Sequence, residues 1–170
     1  MNPLARLVDI VCQLMMRLSG LMIVAMMAIV LIDVITRALF RLTDGRLDFT
    51  FLGGIELVSF ALLFAILYAL PWCVDRSQVV VDLFTEQLSE RKKTALEMLC
   101  FAGYTLLGTG MSIRFWHAVG SAHMSGETTQ DLMLPMSYIY AATLFGTVML
   151  ALRSLMVSID RGAKVMGIKS

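Results

Sequence analysis

Residues 53–72 read GGIELVSFALLFAILYALPW, and this stretch decides the fold. After Glu56 the chain carries no charge before Asp75. A helix over residues 53–72 spans roughly 30 Å, which is the thickness of the hydrocarbon core of a bilayer. We therefore predict a membrane-spanning helix with one carboxylate near one of its ends. The possible functions of the chain differ in the role that they give to this carboxylate, Glu56.

The composition of the whole chain indicates the same class of protein. Of its 170 residues, 58% are hydrophobic and 16% are charged, whereas soluble domains carry about 25% charged residues. An integral membrane protein is therefore the first interpretation. The net charge of +1 gives no indication of a nucleic-acid partner. Cys12, Cys73 and Cys100 lie in or beside apolar segments without metal-ligand spacing, which favours a packing role for each.

Three further apolar segments are long enough to cross a membrane. We predict an all-α integral membrane protein with a single domain over residues 1–170 and transmembrane helices at about 14–37, 53–72, 95–116 and 132–157. The residues before the first span have apolar positions at helical spacing, which predicts an amphipathic lead-in at the membrane surface. Pro135 is expected in the first turns of the fourth helix, where a missing N–H costs little.

The segment after the second span is too polar to cross a membrane. At 78–90 its apolar and polar side chains separate onto two faces at helical spacing, and Asp82 lies on the polar face. This pattern predicts an amphipathic interfacial helix between the second and third spans.

The positive charges predict the orientation. If the N-terminus is cytoplasmic, ten lysines and arginines lie on the cytoplasmic side: Arg6, Arg17, Arg76, Arg91, Lys92, Lys93, Arg153, Arg161, Lys164 and Lys169. The other side then holds four: Arg37, Arg41, Arg46 and Arg114. Because positive residues are enriched in cytoplasmic loops, we predict both termini, and the interfacial helix, on the cytoplasmic face.

This orientation gathers the intramembrane charges near the outer face. Asp33 and Arg37 end the first span four residues apart, a spacing that favours an intrahelical ion pair. Glu56 opens the second span, where an unpaired carboxylate is costly. It therefore needs a partner, a water-filled cavity or a second protein, and Arg37 is the best candidate within the chain. We interpret Glu56 as a charge that fixes helix register, with a substrate or proton site as the alternative.

Small residues indicate where helices approach one another. Ala61, Ala65 and Ala69 recur every four residues in the second span, and the third span contains Gly103, Gly108 and Gly110. Such small-residue patterns allow close helix contact in membranes. We found no phosphate-binding glycine loop, paired outer cysteines or nucleophile-and-base arrangement in the sequence, so we predict neither an enzyme nor a bound cofactor.

Four motifs, in order, resemble one family. They are DVITRALF at 33–40, Glu56 after a short loop, VVVD at 79–82, and residues 126–135 with Gly126, Thr129, Leu132 and Leu134-Pro135. Together they resemble the small membrane subunit (DctQ type) of TRAP transporters, the tripartite ATP-independent periplasmic transporters. The likeness covers essentially the whole chain.

The resemblance implies a non-catalytic, multi-pass permease subunit in the bacterial inner membrane. Such a subunit braces a large membrane subunit that holds the substrate and sodium sites. A periplasmic binding protein delivers an organic acid, such as a dicarboxylate, a sialic acid or a sugar acid, to the outer face. On this view the chain itself holds no substrate, metal or cofactor. Its candidate structural and partner-contact residues are Asp33, Arg37, Glu56, Ala61, Ala65, Ala69, Asp82 and Pro135.

Two other functions remain open at this level. One is a self-contained, proton-coupled exchanger that works as a homodimer and uses Glu56 as its site. The other is a membrane signalling or assembly protein with no transport role.

Overall fold

Four α-helices form the part of the chain that the computed structural model describes, which is residues 3–43, 53–74 and 90–165. They are α1 (Pro3–Leu42), α2 (Gly54–Cys73), α3 (Glu90–Ser125) and α4 (Met136–Val165). Each helix is long and apolar enough to cross a membrane. The prediction of an all-helical chain with four potential spans is confirmed.

Helices α1 and α3 extend beyond the predicted spans at both ends, whereas α4 begins at Met136, after the predicted start at 132, and ends at Val165, beyond the predicted end at 157. The amphipathic lead-in is continuous with α1, because its apolar face packs against α2: Val8, Val11, Cys12 and Met15 join Leu67 and Tyr68 in one core cluster. The 36-residue α3 is about 54 Å long, more than the hydrocarbon core requires. Hydropathy marks only the apolar centre of such a helix, so its polar ends fell outside the predicted bounds.

Other predictions concern parts that the structure leaves undescribed. Asp82 and the interfacial helix predicted at 78–90 lie outside the described residues, except for Glu90, which begins α3. The cytoplasmic placement of the termini also stays a prediction. The expectation that Pro135 lies in the first turns of the fourth helix was wrong: Pro135 precedes α4, because it forms a bridge with Thr128 in the preceding loop. Its carbonyl oxygen accepts a hydrogen bond from the Tyr138 N–H at 3.1 Å.

The helices lie in the spatial order α1, α2, α4, α3. Helix α1 packs mainly on α2, α3 packs mainly on α4, and the contact between α2 and α4 joins the two pairs. In the most apolar stretch of each flanking helix, only 6% of α1 and 11% of α3 is buried, against 39% of α4. The array is therefore open, and α1 and α3 leave most of their apolar surface uncovered.

The two inner helices meet at a close crossing. A Cβ atom added to Gly146 of α4 would lie 2.7 Å from Leu67 Cγ and 3.1 Å from Tyr68 Cε1, both on α2. The Tyr68 hydroxyl donates a hydrogen bond to the Ala142 carbonyl oxygen at 3.1 Å. A glycine at position 146 is thus what brings α2 and α4 into contact.

Of the three α3 glycines that were predicted to lie at a helix contact, only Gly108 lies at one. A Cβ at Gly108 would lie 3.0 Å from the backbone nitrogen of Ala151 on α4, whereas Cβ atoms at Gly103 and Gly110 would have no described atom within 4 Å. Near this contact the Ser112 hydroxyl donates to Thr147 Oγ1 at 3.1 Å. The pattern of small residues thus predicted that α3 contacts another helix, but it could not show which face of α3 makes the contact.

Replacing Tyr68 by phenylalanine tests the hydrogen bond across the α2–α4 crossing. We expect a loss of about 0.6–1.7 kcal/mol, because hydrogen bonds between membrane helices have contributions of this size. Thermal unfolding of the chain in detergent measures the loss. Tyr104→Phe is the control, since the Tyr104 side chain is exposed on α3. Equal stability of both variants would show that the bond contributes nothing.

Charged side chains of the described residues lie near the two ends of the array. At one end, called here the terminal end, Arg153 Nη2 is 3.1 Å from Asp9 Oδ1, and Arg161 Nη1 is 3.3 Å from Glu97 Oε2. These ion pairs join α4 to α1 and to α3. The opposite end, called the Glu56 end, holds Glu56 with Asp33 and Arg37. Between the two ends, stretches 18–32, 57–73, 98–113 and 136–152 carry no charged residue.

Candidate functional site

The connection between α3 and α4 is an ordered loop at the Glu56 end. Gly126 has a φ of +66°, the left-handed conformation that commonly ends a helix, and it follows directly after α3. From there the α3–α4 loop (127–135) turns back on itself, with Thr128 and Pro135 forming an isolated antiparallel bridge. Gly126 can adopt this positive φ without strain because glycine has no Cβ atom.

Hydrogen bonds across the base hold the α3–α4 loop closed. The Thr129 N–H donates to the Leu134 carbonyl oxygen at 2.9 Å, and the Leu134 N–H donates to Thr129 Oγ1 at 3.0 Å. The Met136 N–H donates to the Glu127 carbonyl oxygen at 2.9 Å. Thr129 is buried, and Met133 adopts a φ of +54°, which is uncommon for a residue with a side chain. The loop is therefore built to one shape.

The tip of this loop binds Glu56. Glu56 Oε2 accepts hydrogen bonds from the backbone N–H groups of Asp131 at 2.8 Å and Leu132 at 3.0 Å. Glu56 lies in the first turn of α2, where a carboxylate also interacts favourably with the helix dipole. We call these two hydrogen bonds the Glu56 clasp. It ties the beginning of α2 to the connection between α3 and α4.

The clasp corrects the expectation that Arg37 is the partner of Glu56. Arg37 Nε instead lies 2.9 Å from Asp33 Oδ2, in the intrahelical pair that their spacing predicted. The sequence did not reveal the true partner, because every residue except proline has a backbone N–H and side-chain identity does not show which one is used. The only signal was the spacing of Gly126, Thr129 and Pro135, which marks a shaped loop.

An acidic groove of about 440 Å³ lies between the start of α2 and the α3–α4 loop. Glu56, Glu127 and Asp131 contribute carboxylates to its lining, and Phe60 and Met136 contribute apolar surface. Among residues 3–43, 53–74 and 90–165, no three His, Cys, Asp or Glu side chains are grouped so as to hold a metal ion. The groove thus combines three carboxylates with apolar surface at the Glu56 end.

The alanine pattern of α2 lies against α1 at its centre. Ala65 is buried, and its carbonyl oxygen accepts a hydrogen bond from the Ser19 hydroxyl of α1 at 2.6 Å. Ala61 and Ala69 are partly buried. At Ala65 the close approach predicted from the pattern is therefore to a helix of the same chain.

Comparison with known proteins assigns the family. The family model for the DctQ component of tripartite ATP-independent periplasmic transporters matches residues 26–163. The chain belongs to the DctQ family. Among curated proteins and among solved structures, none matched it.

Membership confirms the resemblance drawn from the four motifs. As a DctQ protein, the chain is a component of a tripartite transporter and works with other subunits. The family has a transport role, and the four helices fit a multi-pass membrane protein. The match covers Asp33, Arg37, Glu56 and the whole α3–α4 loop. The structure gives three of the four motifs a physical role. The motif at 33–40 contains the ion pair, Glu56 forms the clasp, and residues 126–135 include the loop that the clasp holds.

Proposed function

We propose that this DctQ chain is the non-catalytic small permease subunit of a sodium-coupled transporter for an organic acid, in the bacterial inner membrane. It braces the large membrane subunit, which holds the substrate and sodium sites. Its Glu56 end helps to form the face on which a periplasmic binding protein docks. The substrate class is a dicarboxylate, a sialic acid or a sugar acid.

The open array is the observation that carries this proposal. Only 6% of the most apolar stretch of α1 and 11% of that of α3 is buried, and the layer between the two charged ends holds no charged residue in any of the four helices. A transporter that worked alone would need a polar binding site near the middle of the membrane. This chain exposes apolar surface on α1 and α3 and has no charged residue in the middle layer. It is therefore better suited to packing against a partner subunit.

The tethers at the two ends suit the chain to a bracing role. At the terminal end, two ion pairs join α4 to both flanking helices. At the Glu56 end, the clasp fixes α2 to the α3–α4 loop. Because contacts join the helices at both ends, one helix cannot slide easily along another. A subunit that supports a moving partner needs this resistance to sliding.

The docking role is supported by what the Glu56 end exposes. Glu127 and Asp131 present carboxylates there, and Met133 and Tyr138 are highly exposed apolar side chains on or beside the same loop. Under the predicted orientation this surface faces the periplasm. Acidic and apolar side chains exposed together on a loop that is closed by its own hydrogen bonds offer both polar and apolar contacts to a docking protein.

The geometry of Glu56 opposes the self-contained exchanger. A carboxylate that exchanges a proton or a substrate must release its partners in each cycle. Here Oε2 is held by two N–H groups of a loop that is closed by hydrogen bonds of its own. These contacts favour a structural role for Glu56.

Reconstitution in proteoliposomes tests the proposed function. We expect no uptake of a labelled organic acid with this chain alone. Uptake is expected only when the chain, the large membrane subunit and the binding protein are combined under an inward sodium gradient. Omitting this chain from the complete set is the control, and uptake should then fall. Uptake by the chain alone would overturn the proposal.

A further inference from the structure

The charge-free layer between the two ends of the array is not level across the four helices. At the contact between α1 and α2, the Ser19 hydroxyl donates to the Ala65 carbonyl oxygen. Ser19 lies at the beginning of the charge-free stretch 18–32 of α1, whereas Ala65 lies at the centre of the stretch 57–73 of α2. The charge-free stretch of α1 is therefore displaced toward the Glu56 end.

The charge-free stretch of α3 is displaced in the opposite direction. The Ser112 hydroxyl donates to Thr147 Oγ1 of α4 at 3.1 Å. Ser112 lies at the Glu56-end limit of the stretch 98–113, whereas Thr147 lies well inside the stretch 136–152 of α4. Along the order α1, α2, α4, α3, the layer thus shifts from the Glu56 end toward the terminal end.

The size of this shift gives an angle. The midpoint of stretch 18–32 lies about 9 Å from Ser19 toward the Glu56 end, and the midpoint of stretch 98–113 lies about 10 Å from Ser112 toward the terminal end. The two midpoints therefore differ in height by roughly 20 Å. Three helix contacts of about 8–10 Å each separate α1 from α3. To bring the layer to one depth, the helices must tilt by roughly 35° in the plane of the array, which is within the range of transmembrane helices.

Two arginines lie at the limits of this inclined layer. Arg17 precedes the stretch 18–32 on the side of the terminal end, and Arg114 follows the stretch 98–113 on the side of the Glu56 end. Both side chains are exposed, and neither forms an ion pair with another described residue. Each guanidinium group therefore depends on its surroundings for a partner.

An upright array would place both arginines near the middle of the bilayer. Arg17 is two residues from the contact of α1 with Ala65, at the centre of the charge-free stretch of α2. Arg114 is two residues from the contact of α3 with Thr147, which adjoins the α2–α4 crossing at Gly146. Charged residues at this depth are costly, and they normally face the interior of a bundle or pair with an opposite charge. An upright array gives these two arginines neither.

We infer that the array crosses the bilayer obliquely, tilted in its own plane, with Arg17 and Arg114 at the lipid phosphates of opposite faces. The inclined charge-free layer then coincides with the hydrocarbon core, and each guanidinium group can reach a phosphate and hydrogen-bond it. His117 and His123, both exposed on α3 beyond Arg114, also come to lie outside the core. This tilt is a property of the chain in lipid and does not depend on a partner subunit.

The depth of a tryptophan on α3 measures the tilt without changing either arginine. Trp116 is 70% exposed, two residues beyond Arg114, and Trp72→Phe leaves it as the only tryptophan. The matched control is Leu106→Trp with both native tryptophans replaced by phenylalanine. Leu106 is 78% exposed and lies in the middle of stretch 98–113. Fluorescence quenching of each variant alone is measured in bilayers whose lipids are brominated either near the glycerol or near the end of the acyl chain.

We expect the Leu106→Trp variant to be quenched mainly by the deep bromines and Trp116 mainly by the shallow ones, with depths that differ by about 12 Å. An upright array gives the reverse order, because Trp116 would then be level with the middle of α2 and position 106 with its end. The reverse order overturns the inference. Equal quenching at the two positions also overturns it, since both would then lie equally far from the midplane.

Cysteine labelling tests the level and the side of each arginine. In a chain whose three native cysteines are replaced by alanine, Arg17→Cys and Arg114→Cys are each treated with a membrane-impermeant maleimide, in spheroplasts and in inverted membrane vesicles. We expect each position to react in one preparation only, and the two positions to react in opposite ones. Val24→Cys, at an exposed position within stretch 18–32, is the control that should react in neither. Protection of both arginine positions, or their labelling from the same side, contradicts the oblique placement.

Discussion

Replacing Gly146 by leucine is expected to force α2 away from α4 and to destabilise the isolated chain more than any other single substitution considered. Even the Cβ atom would lie 2.7 Å from Leu67 Cγ, in the middle of a side chain that is itself buried. Overpacking of a dense core costs about 1–3 kcal/mol, and a rigid helix crossing places the result at the upper end. The midpoint of thermal unfolding in detergent measures the change.

Gly110→Leu is the matched control for this substitution. Gly110 lies in the middle of α3, and a Cβ there would meet no described atom within 4 Å. We expect its stability to be unchanged or higher by up to about 0.5–1 kcal/mol, because glycine is unfavourable inside a helix. If the two variants were equally stable, the crossing at Gly146 would not be what holds α2 to α4.

Glu56→Ala is expected to release the α3–α4 loop from α2. The change removes the acceptor of the Asp131 and Leu132 N–H groups, while the hydrogen bonds at the base of the loop remain. We expect backbone amide exchange at these two residues to become about ten-fold faster or more, as for a locally opened segment. We also expect weaker co-purification with the large membrane subunit, since the face that the loop shapes is no longer fixed.

Two variants separate the clasp from the general effect of losing an acid. Asp131→Ala removes a carboxylate from the same groove and keeps the backbone N–H, so amide exchange at Leu132 should stay close to that of the wild type. Glu56→Gln keeps an oxygen acceptor but loses the charge, and an intermediate exchange rate is expected because charge-assisted hydrogen bonds are stronger. Unchanged exchange in Glu56→Ala would show that the loop does not depend on the clasp.

The number and class of the helices were predictable from residue content. A charge-free stretch such as 57–73 has few alternatives in a chain with 58% hydrophobic residues. The pair formed by Asp33 and Arg37 was predictable as well, because residues four apart meet on any helix. The motif series in turn predicted the DctQ family, which the match over residues 26–163 confirms.

Contacts between helices were not predictable in the same way. The sequence contains several glycines and several charges near each membrane face, and each has many geometrically allowed partners. Arg153 pairs with Asp9 across more than a hundred residues of chain, and Glu56 binds backbone groups rather than Arg37. Gly146 and Gly108 lie at crossings, whereas Gly103 and Gly110 do not.

By itself, then, the sequence determined four helices with one carboxylate at the start of α2, since hydropathy and local spacing act within a single helix. Only the tertiary structure decided that this carboxylate holds the loop before α4, and that Arg153 of α4 pairs with Asp9 of α1. The reason is that the rotation of each helix about its axis, and its neighbours, follow from shape complementarity summed over whole surfaces. No short stretch of sequence carries that information.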